Sequence, residues 1–409
     1  MVIEENLIDE VMEIIEDLAG FGLDGKNGLT RLLFDPNWIK AQVYLQDKFI
    51  EKGLRPYFDE VGNLYGRLDG TSDETILTGS HIDTVISGGK LDGQFGIVAG
   101  LAAISYLNKT FGPPRKNLEV VSMAEEEGSR FPFTFWGSKN IAGCIDPVEM
   151  EHIKDIQGRS FAEVMTEAGF GIKSAGQGRP DISAFIELHI EQGGVLEREN
   201  IPIGIVEHIV GQMRYLITLE GEANHAGTTP MSYRKDALYG SARIIDRLIR
   251  KAIEYGEPLV ATVGKMQVFP NTSNVVPAKV LFTLDIRHTD AQIMARYAQE
   301  VSRIVDDVAQ DLAMTARIEN YMNGKPVPMD KELVKRIRRQ CELKGLHFKM
   351  MHSGAGHDAQ IMAEKFPTAL IFVPSQNGIS HNPAEYTAPE HLEQGIKALI
   401  ESLYALAYQ

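Results

Sequence analysis

Only two cysteines, Cys144 and Cys341, occur in 409 residues, and they lie far apart. Such a chain does not rely on disulfides; a reduced, cytoplasmic setting with both thiols as small core residues is expected. Long apolar runs are missing too. The best candidates, such as GIVAGLAAISYL at 96–107, are interrupted by small and polar residues, so no membrane span is expected. Basic residues are outnumbered, 41 Lys and Arg against 56 Asp and Glu, for a formal net charge of −15. Nucleic acid and anionic membranes are therefore poor partners, and an anionic substrate would need cationic groups placed locally. The opening MVIEENLIDEVMEIIEDLAGFG lacks the basic start and cleavage site of a signal peptide and reads as an acidic helix. No internal repeat or low-complexity tract stands out.

What remains is an ordinary globular composition, 44% apolar and 24% charged, in a chain long enough for two domains. Apolar groups recur at helical spacing over residues 1–20, 36–52 and 94–110. NLYGRLDG, ETILTGSHIDTV, NLEVVSMA and DISAFIELHI read as strands between them. This alternation predicts an α/β domain with a mainly parallel or mixed sheet. From Gly211 the pattern changes to half-buried alternating strands (MRYLITLEGEA, LVATVGKMQVFP, AKVLFTLDIRH, TARIENYM) and two helices, 235–255 and 290–312. That is a β-α-β-β-α-β succession, ferredoxin-like. The expected organisation is a discontinuous domain, 1–210 and 330–409, with a small α+β domain, 211–329, inserted.

The acids and imidazoles gather where predicted strands end: GSHIDTV, KLDGQFG, EEEGSRF, ELHIEQGG and, near the C-terminus, GISHNPAEYT. Groups beyond the carboxyl ends of α/β strands converge on one crevice. Taken singly, each of these residues has a plain structural reading; together His81, Asp92, Glu127, His189 and His381 offer nitrogen and carboxylate oxygen donors. That mixture suits zinc, manganese or cobalt rather than a calcium or magnesium cage. Asp83, two residues after His81 on the same strand face, is placed to accept the outer imidazole proton. Glu125 is either a supporting group or simply exposed. Arg287, in DIRH, presents a planar fork suited to a carboxylate, and Gln212 and Asn274 can add amide contacts. SGAGHDAQ is a glycine-rich turn opening a helix; Gly356 could offer its backbone N–H to substrate, and His357 either meets substrate or fixes the loop.

These motifs, with NHAGTTPM and PNTSNVVP, resemble the co-catalytic metal amidohydrolases of the aminoacylase and carboxypeptidase superfamily, nearly end to end. Within it they are similar to the hydantoinase/carbamoylase branch, which acts on N-carbamoyl and ureido compounds. The resemblance implies two divalent ions, manganese or zinc with cobalt as a further fit, bridged by Asp92. His81 and His189 would complete one site, Glu127 and His381 the other. It makes Glu126 the general base and Arg287 and Asn274 the grip on a substrate carboxylate, with the Gln212 region in contact. It also implies a homodimer formed through the inserted lid domain, with His225 of NHAGTTP reaching the partner's active site to stabilise an oxyanion. The expected substrate is a small ureide carboxylate, with N-carbamoyl-L-amino acids as the alternative; a ureide-binding dimer without catalysis is the reading of a different class.

Overall fold

The computed structural model describes residues 6–145, 150, 152–171 and 178–409. The chain forms two compact units, Met1–Glu207 with Pro328–Gln409, and His208–Val327. Aspartates start many of the helices. Asp35 caps Pro36–Glu51, accepting from Trp38 N–H at 2.7 Å, and Asp236, Asp290 and Asp330 cap Ala237–Tyr255, Ala291–Asp311 and Lys331–Lys344. Each such cap contributes about 1 kcal/mol by satisfying an N–H that the helix cannot.

The first unit is built on a mixed sheet. Its central path runs Arg55–Phe58, Leu64–Leu68, Asn117–Met123, Thr75–His81, Ile182–Ile190, Thr368–Val373, Ile203–Ile209. The four strands from Asn117–Met123 to Thr368–Val373 are parallel, and their outer neighbours on either side are antiparallel. Asn117–Met123 and Thr75–His81 are buried at every position, as expected of strands covered on both faces. The helix Gln94–Phe111 is itself buried from Gln94 to Leu107, which its apolar, small-residue sequence permits. Gly96 lets it lie on the sheet: a Cβ there would come within 2.4 Å of the Leu188 carbonyl oxygen.

The helix expected over residues 1–20 spans Leu7–Ala19 and buries Leu7, Val11, Ile14, Ile15 and Leu18; residues 1–5 lie outside the described residues. The thiols depart from expectation. Cys341 is buried in its helix, whereas Cys144 is exposed just beyond Gly143, the left-handed residue that ends the helix Trp136–Ala142. Among the described residues no helix is long and apolar enough to cross a membrane.

The second unit has an antiparallel sheet in the order Met266–Phe269, Lys279–His288, Gly211–Glu220, Thr315–Gly324. The helices Ala237–Tyr255 and Ala291–Asp311 share a core with one face, through Ile217, Leu219, Phe282, Leu284, Ile286, Ile244 and Val301. Strand Lys279–His288 alternates strictly between half-buried and buried positions. Asp285 and Arg287 therefore stand on the face opposite Leu284 and Ile286.

Candidate metal centre

Four parallel strands deliver the site from their carboxyl ends. His81 is the last residue of Thr75–His81, level with Met123 on the neighbouring strand. Glu125, Glu126 and Glu127 follow Asn117–Met123, and His189 lies one residue from the end of Ile182–Ile190. His381 follows Thr368–Val373 in a loop. Asp92 precedes the buried helix Gln94–Phe111.

Asp92 is the meeting point. Its Oδ1 lies 3.5 Å from His81 Nε2 and 3.1 Å from His189 Nε2; its Oδ2 lies 3.1 Å from His381 Nε2. His381 Nε2 is also 3.2 Å from Glu127 Oε1. Two three-residue groups that could hold a metal ion, His81–Asp92–His189 and Asp92–Glu127–His381, thus share one carboxylate. Glu126 lies beside them, grouped with His81 and Glu127.

The donor set fits a cation for a specific reason. His189 Nδ1 donates to the Ile190 carbonyl at 2.9 Å, and His81 Nδ1 lies 3.0 Å from the Asp83 carbonyl. The Nε2 lone pair of His81 then faces a lone pair of Asp92, as does that of His189, which also meets the Gly93 N–H at 3.2 Å; facing lone pairs repel unless a proton or a metal ion lies between. Without metal, protons fill that place. Burial works against a charged His81, but bonds to Asp83 and Asp92 win and hold it well above the ordinary imidazole range. His189 is raised against burial by Asp92 in the same way. Bonds to Asp92 and Glu127 push the more open His381 up to about 10. Asp92 lies well below the carboxylate range; burial opposes this, and the bonds from His189, His381 and His81 outweigh it.

An imidazole raised on folding stabilises the fold fully below its unfolded value, about 6.5, and that contribution fades as pH rises through the folded value, about 10 for His381. In chelator, the thermal unfolding midpoint should fall between pH 7 and pH 10. Saturating Mn2+ should flatten that fall, because ions replace the protons; equal slopes with and without metal would contradict this.

Several supporting groups escaped the sequence reading. Asp83 does more than face His81: its two oxygens accept from the backbone N–H of Glu126 at 2.9 Å and of Glu127 at 3.1 Å. Buried Glu385 accepts from the N–H of Leu91 and Asp92 at 2.8 and 3.0 Å and from Ser380 Oγ at 2.9 Å. Gln192 Nε2 donates to Asp92 Oδ2 at 2.9 Å. Gln192 and His381 both hold left-handed backbone angles, φ 58° and 54°, a strained choice for such residues that here aims both at Asp92. Gly93 is also constrained, since a Cβ would come 2.5 Å from the His81 ring. Glu385 and Gln192 sit inside HNPAEYT and ELHIEQG, so the motifs marked the place but not the contacts.

Glu125 is buried, with no well-formed hydrogen bond to either carboxylate oxygen, although the N–H of Gly128 lies close enough to favour its charge. Burial and the neighbouring Asp83 push its carboxyl well above the usual range. Burial and Glu127 raise Glu126 likewise, against the pull of His81. The loop of Gly356 and His357 leads into a short helix. The N–H of Ala359 donates to Glu187 at 2.8 Å, and the helix it opens, Asp358–Met362, has five residues. Ser353 Oγ donates to Ala355 O, which leaves its oxygen to accept from His357 Nε2 at 3.0 Å. Burial holds His357 neutral. Glu187, His189 and His357 also group together. His189 has no third nitrogen to give them, since Nδ1 meets Ile190 and Nε2 faces Asp92.

In the second unit, Gln212 and Arg287 are direct cross-strand partners and both bind Asp285. Gln212 Nε2 donates to it at 2.6 Å, Arg214 Nε at 2.9 Å and Arg287 Nε at 2.9 Å. His225 and Asn274 belong to a separate two-stranded ribbon, where Val275 pairs with His225 and Asn274 O accepts from Ala226 N–H. His225 is exposed, and its Nδ1 accepts from the N–H of Gly227 and Thr228 at 3.0 and 3.2 Å. The neutral ring must then carry its proton on Nε2, as an outward donor.

The family model of peptidase family M20/M25/M40 matches residues 77–405. Allantoate amidohydrolase of Escherichia coli (strain K12) is 50% identical over 402 residues, covering 98% of each chain. Allantoate amidohydrolase of Bacillus subtilis (strain 168) is 45% identical over 404 residues, again covering 98% of each. The crystal structure of an amidase of the hydantoinase/carbamoylase family from Burkholderia multivorans superposes with a TM-score of 0.94 at 34% identity, over 98% of both chains. The chain therefore belongs to peptidase family M20/M25/M40.

Proposed function

We propose that the protein hydrolyses a ureido C–N bond of allantoate, giving ureidoglycine, ammonia and carbon dioxide. The observation that carries the chemistry is the sharing of Asp92 between two ligand groups with Glu126 beside them. Choice of substrate follows the relatives: the two allantoate enzymes are 50% and 45% identical, against 34% for the hydantoinase/carbamoylase amidase.

His81, Asp92 and His189 would hold one divalent ion and Asp92, Glu127 and His381 a second, with manganese, zinc and cobalt all compatible. When bound, the ions supply Lewis acidity toward the ureido carbonyl and make water a stronger acid. Glu126 takes a proton from water as its oxygen attacks the carbonyl carbon. It returns the proton to the nitrogen whose bond to that carbon breaks. The carbamate released falls apart to ammonia and carbon dioxide. In this reading residues 211–329 serve as lid and dimerisation domain. Arg287, Asn274 and Gln212 hold the substrate carboxylate, and His225 donates its Nε2–H to the oxyanion across the homodimer, help worth a few kcal/mol per donor.

A substrate panel tests the choice. Ammonia release should be fastest from allantoate, slower from N-carbamoyl-L-amino acids, and absent with dipeptides. Efficient N-carbamoyl cleavage without allantoate turnover would transfer the assignment to the carbamoylases.

A further inference from the structure

Arg31, in the GLTR segment, is completely buried. Four of its N–H groups are engaged, and every acceptor is a neutral oxygen. Nε donates to Phe21 O at 3.3 Å, Nη2 to Leu18 O at 2.5 Å, and Nη1 to both Ile82 O and Gln94 Oε1 at 3.0 Å. A guanidinium costs a great deal to bury, and bonds to neutral oxygens offset that only in part. Leu18 O lies in the last turn of the helix Leu7–Ala19 and Phe21 O just beyond its cap Gly20, where the helix dipole is negative and a cation is favoured.

The other two acceptors connect Arg31 to the site. Ile82 directly follows His81. Gln94 is two residues beyond Asp92, and its own amide donates to Lys90 O. One side chain therefore grips both ends of the loop that joins His81 to Asp92. The backbone around Arg31 holds the middle of that loop. Arg31 N–H donates to Thr84 Oγ1 at 2.9 Å, Thr84 N–H to Arg31 O at 3.0 Å, and Leu29 and Gly88 exchange bonds at 3.0 and 2.8 Å.

We propose that Arg31 is a positioning residue that presets the spacing of His81 and Asp92, and so sets how tightly the His81–Asp92–His189 group takes a divalent ion. The alternative is a role confined to capping the first helix. A cap would influence unfolding of the metal-free protein without altering the affinity of the folded site. The inference rests on the proposed metal centre, and the experiment separates the two.

The test uses the full chain stripped by chelator, with Mn2+ affinity read by calorimetry and the metal-free unfolding midpoint read in parallel. Arg31→Met should weaken Mn2+ binding about 10-fold, the lower end of the cost of losing a direct outer partner of a metal ligand, because Arg31 acts on His81 and Asp92 through Ile82 and Gln94. Arg31→Lys should fall between, since an ammonium cannot span four divergent acceptors. Gln94→Leu keeps the buried charge and the helix cap but cuts the grip on the Asp92 end, so it should also weaken binding. Gln94→Leu decides alone should Arg31→Met not fold. Wild-type affinity in Gln94→Leu, or in a folded Arg31→Met with a lowered midpoint, overturns the inference and leaves the metal centre standing. Wild-type protein that binds no Mn2+ removes the metal centre itself.

Discussion

Glu126→Gln should lower turnover about 10²–10⁴-fold, the usual share of a general acid–base group, and leave the divalent-ion content unchanged. The amide keeps the size of the side chain, and the backbone N–H of residue 126 can still donate to Asp83. What disappears is a carboxyl that can take and return a proton. Burial and Glu127 raise that carboxyl above the usual range, while His81 pulls the other way. Metal analysis beside the rate measurement is essential, because Glu126 also groups with His81 and Glu127. Loss of ion content in step with rate would make Glu126 a ligand and vacate the place of the base.

Asp92→Asn should strip both ions, not one. Its two oxygens serve different groups, Oδ1 toward His81 and His189 and Oδ2 toward His381. The loss of affinity should exceed the roughly 10–100-fold cost of an outer partner, so the dialysed variant should carry essentially no metal and show background turnover. Glu127→Gln makes the contrast, since Glu127 belongs with Asp92 and His381 but not with Asp92 and His189. It should spare the first group. One ion per chain retained in Asp92→Asn, by elemental analysis, would be incompatible with a shared carboxylate.

The candidate ligands that the fold brings together were legible because strand ends and local motifs carry them; each of His81, Asp92, Glu127, His189 and His381 sits beside its own punctuation of glycine or turn residues. The strand alternation of 279–288 was equally local. The support of the site was not local. Glu385 reaches the backbone of Asp92 from 293 residues away, and Arg31 meets Gln94 across 63. No periodicity encodes such pairings. Glu125 stayed open for a related reason: three consecutive acids look solvated, and only the folded chain shows the first turned into the interior, where burial raises its carboxyl. Cys144 misled in the opposite direction, since a small apolar residue beyond a helix end is free to stay at the surface.

The most direct test of a two-ion ureide hydrolase is ammonia release from allantoate as metal is returned to chelator-stripped protein. The account predicts no release without metal, and a rate that climbs with added Mn2+ until two ions per chain are bound. Release that persists after complete stripping, or that reaches its full rate with a single ion bound, would contradict it.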